Sequence, residues 1–191
     1  MKKFLLLLAL FFGFLTGVNA ETNRIISGNQ NAKIVILAYE SLTCSHCADF
    51  HKNVYPQLKK DYIDTGLAKI EFRHFPLDAA AFNASKIIQC KYDQGMEILE
   101  SLYSNQQAWI KGNTIEQVNN NLQKFIEKEG FQVNFEKCIN NKKIEEFVLN
   151  DRIEGVKNFK VNATPTIIIN DKKFEKSLNY KNLKETLEKL I

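Results

Sequence analysis

The sequence predicts an α/β domain interrupted by a long helical insertion, and three observations carry that expectation. The nearly unbroken apolar run Ile34-Val35-Ile36-Leu37-Ala38-Tyr39 reads as a strand covered on both faces, as in the centre of an α/β sheet. It leads into Cys44-Ser45-His46-Cys47, which opens a helix-like segment. Residues 78–158 then show helical composition without a convincing strand, before Thr164-Pro165 introduces a second apolar run, Thr166-Ile167-Ile168-Ile169.

Taken in order, Ile25-Ile26-Ser27-Gly28 predicts a short edge strand and Asn29-Gln30-Asn31 a polar turn before the strand at 33–40. A helix is expected from Ser45 to about Asp64. Pro56 lies inside it, and because proline lacks a donor and crowds the preceding turn, a kink or break is expected near Tyr55. Gly66 closes that element, and residues 67–76 form the next strand, with Ile70 and Phe72 on an imperfect alternation. A right-handed strand-helix-strand crossover makes the two strands parallel. Breaks in the helical block are expected near Gly95, Gly112-Asn113 and Gly130. After it come a strand, a polar turn at Asp171-Lys172-Lys173 and an antiparallel partner containing Phe174. Leu183, Leu187, Leu190 and Ile191 recur at helical spacing, so the chain is expected to end in an amphipathic helix packed by one face.

Met1-Lys2-Lys3, the apolar stretch to Val18 and the small residues of Val18-Asn19-Ala20 have the layout of a secretory signal peptide, residues 1–20. The apolar stretch is shorter than the roughly 20 residues a spanning helix needs, and Gly13 and Gly17 weaken it as an anchor. The expected location is periplasmic or secreted, with no stable membrane insertion after cleavage; an uncleaved tether is the alternative. The rest divides into 21–77 with 159–191 as one domain and 78–158 as its insertion. The formal net charge of +4 falls to +2 without Lys2 and Lys3, lysines mingle with acids, and no basic aromatic stripe exists, which argues against a nucleic-acid partner.

The four cysteines carry the chemistry. A thiol at the first turn of a helix meets unpaired backbone N–H groups and the positive end of the macrodipole, both favouring thiolate. Cys44, at the helix start, is expected to be the more exposed and more acidic attacking thiol, and Cys47, one turn in, the shielded partner. His46, between them, can add to thiolate stabilisation. A fixed structural bridge or half of a zinc site would use the same spacing; a zinc knuckle wants a second pair at matching distance, which Cys90 and Cys138 do not provide, although His46 and His51 keep the idea open. In an oxidising compartment the remaining couple is expected to form a Cys90–Cys138 disulfide pinning two helices of the insertion. Glu40, four residues before Cys44, either relays a proton during exchange or reaches solvent from the strand end. His51 and His74 read as structural or surface positions.

Ser41-Leu42-Thr43-Cys44-Ser45-His46-Cys47, Thr164-Pro165 before a strand, and the insertion between the two sheet halves together resemble the thioredoxin fold with a helical insertion, as in DsbA-like thiol:disulfide oxidoreductases. The resemblance covers essentially the whole chain after the leader. It implies that Pro165 is cis and lies against the disulfide, with the backbone of Thr164 available to an extended substrate. Threonine before this proline is frequent in isomerases and reductases, whereas the prototype oxidase has valine. The resemblance also implies an exported oxidase, without a cofactor, that passes its Cys44–Cys47 disulfide to unfolded or reduced exported proteins and is reoxidised by a membrane partner. A disulfide isomerase or reductase, or a secreted metal carrier, are the alternatives.

Overall fold

The computed structural model describes residues 23–191. The expected leader and its cleavage point lie outside the described residues. Among the described residues no helix is long and apolar enough to cross a membrane.

Five strands form one mixed sheet in the order β1-β3-β2-β4-β5: β1 Ile25–Gly28, β2 Ile34–Glu40, β3 Ala68–His74, β4 Thr166–Ile169 and β5 Lys172–Lys173. The central pair β2 and β3 is parallel, with Glu40 opposite His74, and the other pairings are antiparallel. The run of Ile, Val and Leu in β2 is apolar throughout because both faces are covered, as the sequence implies. Ile34, Ile36 and Ala38 join the larger core, while Leu37 and Tyr39 join a smaller one with Phe75, Val161 and Ile168.

Between β2 and β3 the chain forms α1 Ser45–Asn53 and α2 Tyr55–Leu58, then a wider π turn over Lys59–Ile63. The break falls at Val54, where the backbone leaves ideal helical geometry (φ −119°) and Pro56 occupies the first turn of α2. The missing donor is harmless at a helix start, so proline restarts the helix there.

Six helices lie between β3 and β4: α3 Ala79–Cys90, α4 Gly95–Ser104, α5 Gln106–Trp109, α6 Ile115–Lys128, α7 Phe135–Ile139 and α8 Lys142–Phe159. The expected break near Gly95 is present: α3 ends at Cys90, a tighter turn follows at Tyr92–Gln94, and Gly95 opens α4. A side chain at Gly95 would press on Ile25, with a Cβ 3.1 Å from Ile25 Cδ1, so close packing explains the glycine. Asp78 caps α3, its carboxylate accepting from the Ala81 N–H at 2.8 Å. Trp109 is fully buried and donates to the Leu102 carbonyl at 3.0 Å, tying α5 to α4.

α8 covers the second face of the sheet. A Cβ at Gly155 would sit 2.7 Å from Tyr39 Cε1, so only glycine lets this helix approach β2 so closely. The last helix, α9 Tyr180–Leu187, stops earlier than its leucine spacing suggests. Leu183 and Leu187 are buried, but Leu190 and Ile191 are 44% and 69% exposed, beyond the reach of the groove that α9 packs into.

Candidate active site

Cys44 is the N-cap of α1, with extended backbone angles and no side-chain cap on the helix. The Ser41 carbonyl accepts from the Cys44 N–H at 3.0 Å, turning the chain from β2 into the helix. This places Cys44 Sγ where a capping oxygen usually sits, facing the free N–H groups of the first turn. Cys47 lies one turn in and is fully buried against Leu42 and Phe50 in the larger core. Both thiols are reduced here.

The two sulfurs have opposite electrostatics. A hydrogen bond from Cys47 is the main cause that draws Cys44 down to about 5 from an ordinary thiol value; help from Thr164 and from the Cys47 and His46 N–H groups outweighs partial burial. Burial pushes the Cys47 thiol far up, and its bond to Cys44 and the charge of Glu40 push the same way. One sulfur therefore holds charge at neutral pH and the other keeps its proton.

The Thr164-Pro165 bond is cis, and Cys44 Sγ lies 3.3 Å from the Thr164 carbonyl, to which it donates when protonated. Thr164 Oγ1 is buried and unpaired by strict hydrogen-bond geometry, yet lies near enough to favour the Cys44 thiolate. The His46 ring points outward, and among the described residues no hydrogen bond is seen from it; the backbone N–H of His46 is what reaches the sulfur. His46, Phe50, Val54, Thr164, Leu178 and Tyr180 help line a cleft of about 710 Å³ beside Cys44. Cys90 and Cys138 are joined in a disulfide linking α3 to α7, away from this site.

Several contacts have no signature in the sequence. Gln106 of α5 donates to the carbonyls of Leu42 and Cys44 at 2.8 and 3.0 Å, clasping the loop from the insertion side. Thr43 Oγ1 donates to Asp78 at 2.7 Å, and the Leu77 N–H donates to Ser41 Oγ at 3.2 Å. Glu40 is buried rather than solvated, its Oε2 2.8 Å from His51 Nε2 and 3.4 Å from the Tyr103 hydroxyl that donates to it. His51 thus belongs to a buried polar cluster behind Cys47. The one available clue was its position four residues after Cys47, on the same face of α1. Among the described residues, no group of three or more histidine, cysteine, aspartate or glutamate side chains gathers as a metal site.

A five-stranded sheet carrying a Cys-x-x-Cys at a helix start, faced by a cis-proline loop, defines a thioredoxin-like thiol:disulfide centre. The family model described as Thioredoxin matches residues 20–189, and the chain belongs to the DsbA-like oxidoreductases of that family. The solved structure of Wolbachia pipientis alpha-DsbA1 is 30% identical with a TM-score of 0.76, covering 88% of this chain and 90% of that one. BdbD from Bacillus subtilis, at 22% identity and a TM-score of 0.74, covers 87% and 91%, and shares the fold. Disulfide bond formation protein D of Bacillus subtilis is 26% identical over 86% of this chain and 75% of its own. A protein-disulfide oxidoreductase of Rickettsia bellii is 28% identical over 78% of this chain, which spans only 58% of that relative's length.

Proposed function

We propose that this DsbA-like oxidoreductase is an exported thiol oxidase, working through Cys44 and Cys47 outside the cytoplasm. A substrate thiolate attacks Cys44 of the disulfide, and Cys47 leaves and takes up a proton. A second substrate thiolate then attacks the first substrate sulfur in the mixed disulfide, forming the substrate disulfide and releasing the Cys44 thiolate. Two electrons pass from the substrate dithiol to the protein, and a membrane partner returns it to the disulfide. Thr164, Pro165 and the backbone at His46 tune and present Cys44, while the Cys90–Cys138 bridge holds the insertion together.

The observation that carries this reading is the asymmetry of the sulfurs. A Cys44 thiolate stabilised near pH 5 is a good leaving group and favours the reduced protein, which makes the disulfide oxidising. The adjacent cleft mixes apolar walls (Phe50, Val54, Leu178) with polar ones (Asn53, Asn179), which suits unfolded chains of varied sequence.

Equilibration with glutathione tests it. A potential near about −120 mV with rapid oxidation of a reduced peptide is the expected result, whereas a value below about −200 mV assigns a reductant or isomerase instead. Cys44→Ser is expected to abolish exchange.

A further inference from the structure

Cys44 is an N-cap whose side chain does no capping. Serine, threonine, asparagine and aspartate favour this position because a side-chain oxygen accepts from the first turn, which fixes the extended backbone of the cap. A cysteine bound in a disulfide offers only a weak acceptor. The backbone angles of Cys44, φ −78° and ψ 119°, therefore need other groups to hold them if the sulfur is to stay at the helix start when it is bonded to Cys47.

The turn that delivers Cys44 is tied from two sides. On one side Ser41 and Thr43 are held through their hydroxyls, by the Leu77 N–H and by Asp78. On the other stands Gln106, whose single amide nitrogen Nε2 lies 2.8 Å from the Leu42 carbonyl oxygen and 3.0 Å from that of Cys44. Its two hydrogens serve one carbonyl each. Leu42 is buried, and among the described residues no other donor meets its carbonyl. The Cys44 carbonyl also accepts from the Ala48 N–H at 3.2 Å, the first bond of α1.

The geometry of this double bond is restrictive. The two carbonyls belong to peptide planes with only Thr43 and Cys44 between them, so the planes are related by φ and ψ of these two residues. Bonding both oxygens to one nitrogen closes a ring that fixes the four torsions together. The extended ψ of Cys44 is one of them. Turning it to the helical value would carry the Leu42 carbonyl off the amide and move the sulfur from the end of α1 toward its side. The arm that carries the amide is itself anchored: Gln106 opens α5, its carbonyl accepts from the Ile110 N–H at 2.9 Å, and Trp109 on the same short helix is fully buried and bonded to Leu102 of α4.

We propose that Gln106 is a positioning residue for Cys44: it clamps the turn at 42–44 from the insertion, keeps the sulfur at the N-terminus of α1 in both redox states, and so sets how oxidising the Cys44–Cys47 disulfide is. This rests on the thiol-exchange reading of the two cysteines. The groups that draw Cys44 down to about 5 are the Cys47 thiol, Thr164 and the N–H groups of Cys47 and His46, and all of them need the sulfur where the clamp puts it. Gln106 bonds neither sulfur, so it acts through the backbone. The ionisable groups near Cys44 include His46 and Asp49 of α1, Glu40 of β2, Asp78 before α3 and Tyr103 of α4. A neutral substitution at Gln106 alters none of them, and a changed titration then reports the turn.

Gln106→Met keeps the length and neutrality of the side chain and removes both donors. Ultraviolet titration of the reduced variant is expected to place Cys44 about one pH unit higher than in the unmodified protein. Equilibration with glutathione at pH 7 is expected to show a disulfide about three- to tenfold less oxidising. A variant that unfolds at lower urea but keeps both the titration and the glutathione equilibrium overturns the proposal, since Gln106 would then support the fold alone. Should the variant fail to fold, NMR of the unmodified protein decides. The side-chain amide protons of Gln106 are expected to exchange about tenfold or more slowly than those of exposed glutamines in both the oxidised and the reduced state. Free exchange in either state overturns the clamp. A potential below about −200 mV in the unmodified protein removes the oxidase reading alone, because the effect of Gln106 is the difference between the variant and that protein.

Discussion

Two buried carboxylates approach the same end of the sheet and have been given different surroundings. Asp151 of α8 is completely buried, yet both its oxygens are occupied: Arg24 and Arg73 donate to Oδ1, and the His74 backbone N–H donates to Oδ2 at 3.0 Å. Glu40, paired with His74 across the β2–β3 ladder, has only a histidine and a tyrosine hydroxyl, and one oxygen is left over. A charge surrounded by guanidinium groups is locked, because removing it strands its partners. Glu40 has a single histidine and a tyrosine hydroxyl for partners, so removing it strands fewer groups. The difference separates an acid with both oxygens bound from one with an oxygen left unpaired.

Asp151→Ala is the severest test of that contrast. It is expected to cost about 3 kcal/mol or more, since it leaves Arg24, Arg73 and a backbone N–H without their central acceptor, while glutathione exchange in the protein that still folds is unaffected. Urea unfolding beside stopped-flow exchange reads both; lost exchange at retained stability would erase the distinction.

The paired cysteines extend the comparison. Cys90→Ala/Cys138→Ala releases a crosslink of sequence separation 48, worth up to about 4 kcal/mol in the chain-entropy model. The loss should appear in the denaturation midpoint and leave the Cys44 thiolate titration where it was. A shifted titration would mean that the bridge acts on the redox site through the insertion.

For the reactive pair the expected effect depends on pH. Because Cys44 is lowered in the folded protein, its contribution to the stability of the reduced form is complete above the unfolded thiol value near 9. It declines as pH falls and is gone below about 5. At pH 7 it is about 2 kcal/mol once solvent screening at this partly exposed sulfur is included. Reduced and oxidised protein melted side by side from pH 4 to 9 should therefore converge at the acid end. Parallel curves would show an ordinary thiol at position 44.

Smallest is Asp78→Ala. It removes the cap of α3 and the tether of Thr43, and about 1 kcal/mol of stability is expected to go with them. Unfolding of α3 followed by amide exchange would locate the loss.

Much of this was legible in order along the chain. The apolar run of β2, the break before Pro56 and the cysteine at a helix start are local patterns, written within a few residues of where they act. The last two residues misled, because an apolar spacing continues past the point where α9 ends and its packing stops. Gln106 was silent because it reaches the active-site loop across 62 residues of sequence, and a glutamine in a helix carries no mark of its partner. His51 gave only its helical offset from Cys47, which identifies a face without saying what that face meets.

By itself the sequence determined the periodicities, the chain order of the elements and the chemical identity of the two thiols, because backbone propensity and spacing are local. Only the tertiary structure decided which acid is locked by arginines and which is left open beside a histidine. Those outcomes depend on desolvation and on partners brought from distant segments, and neither exists until the sheet and its covering helices have packed.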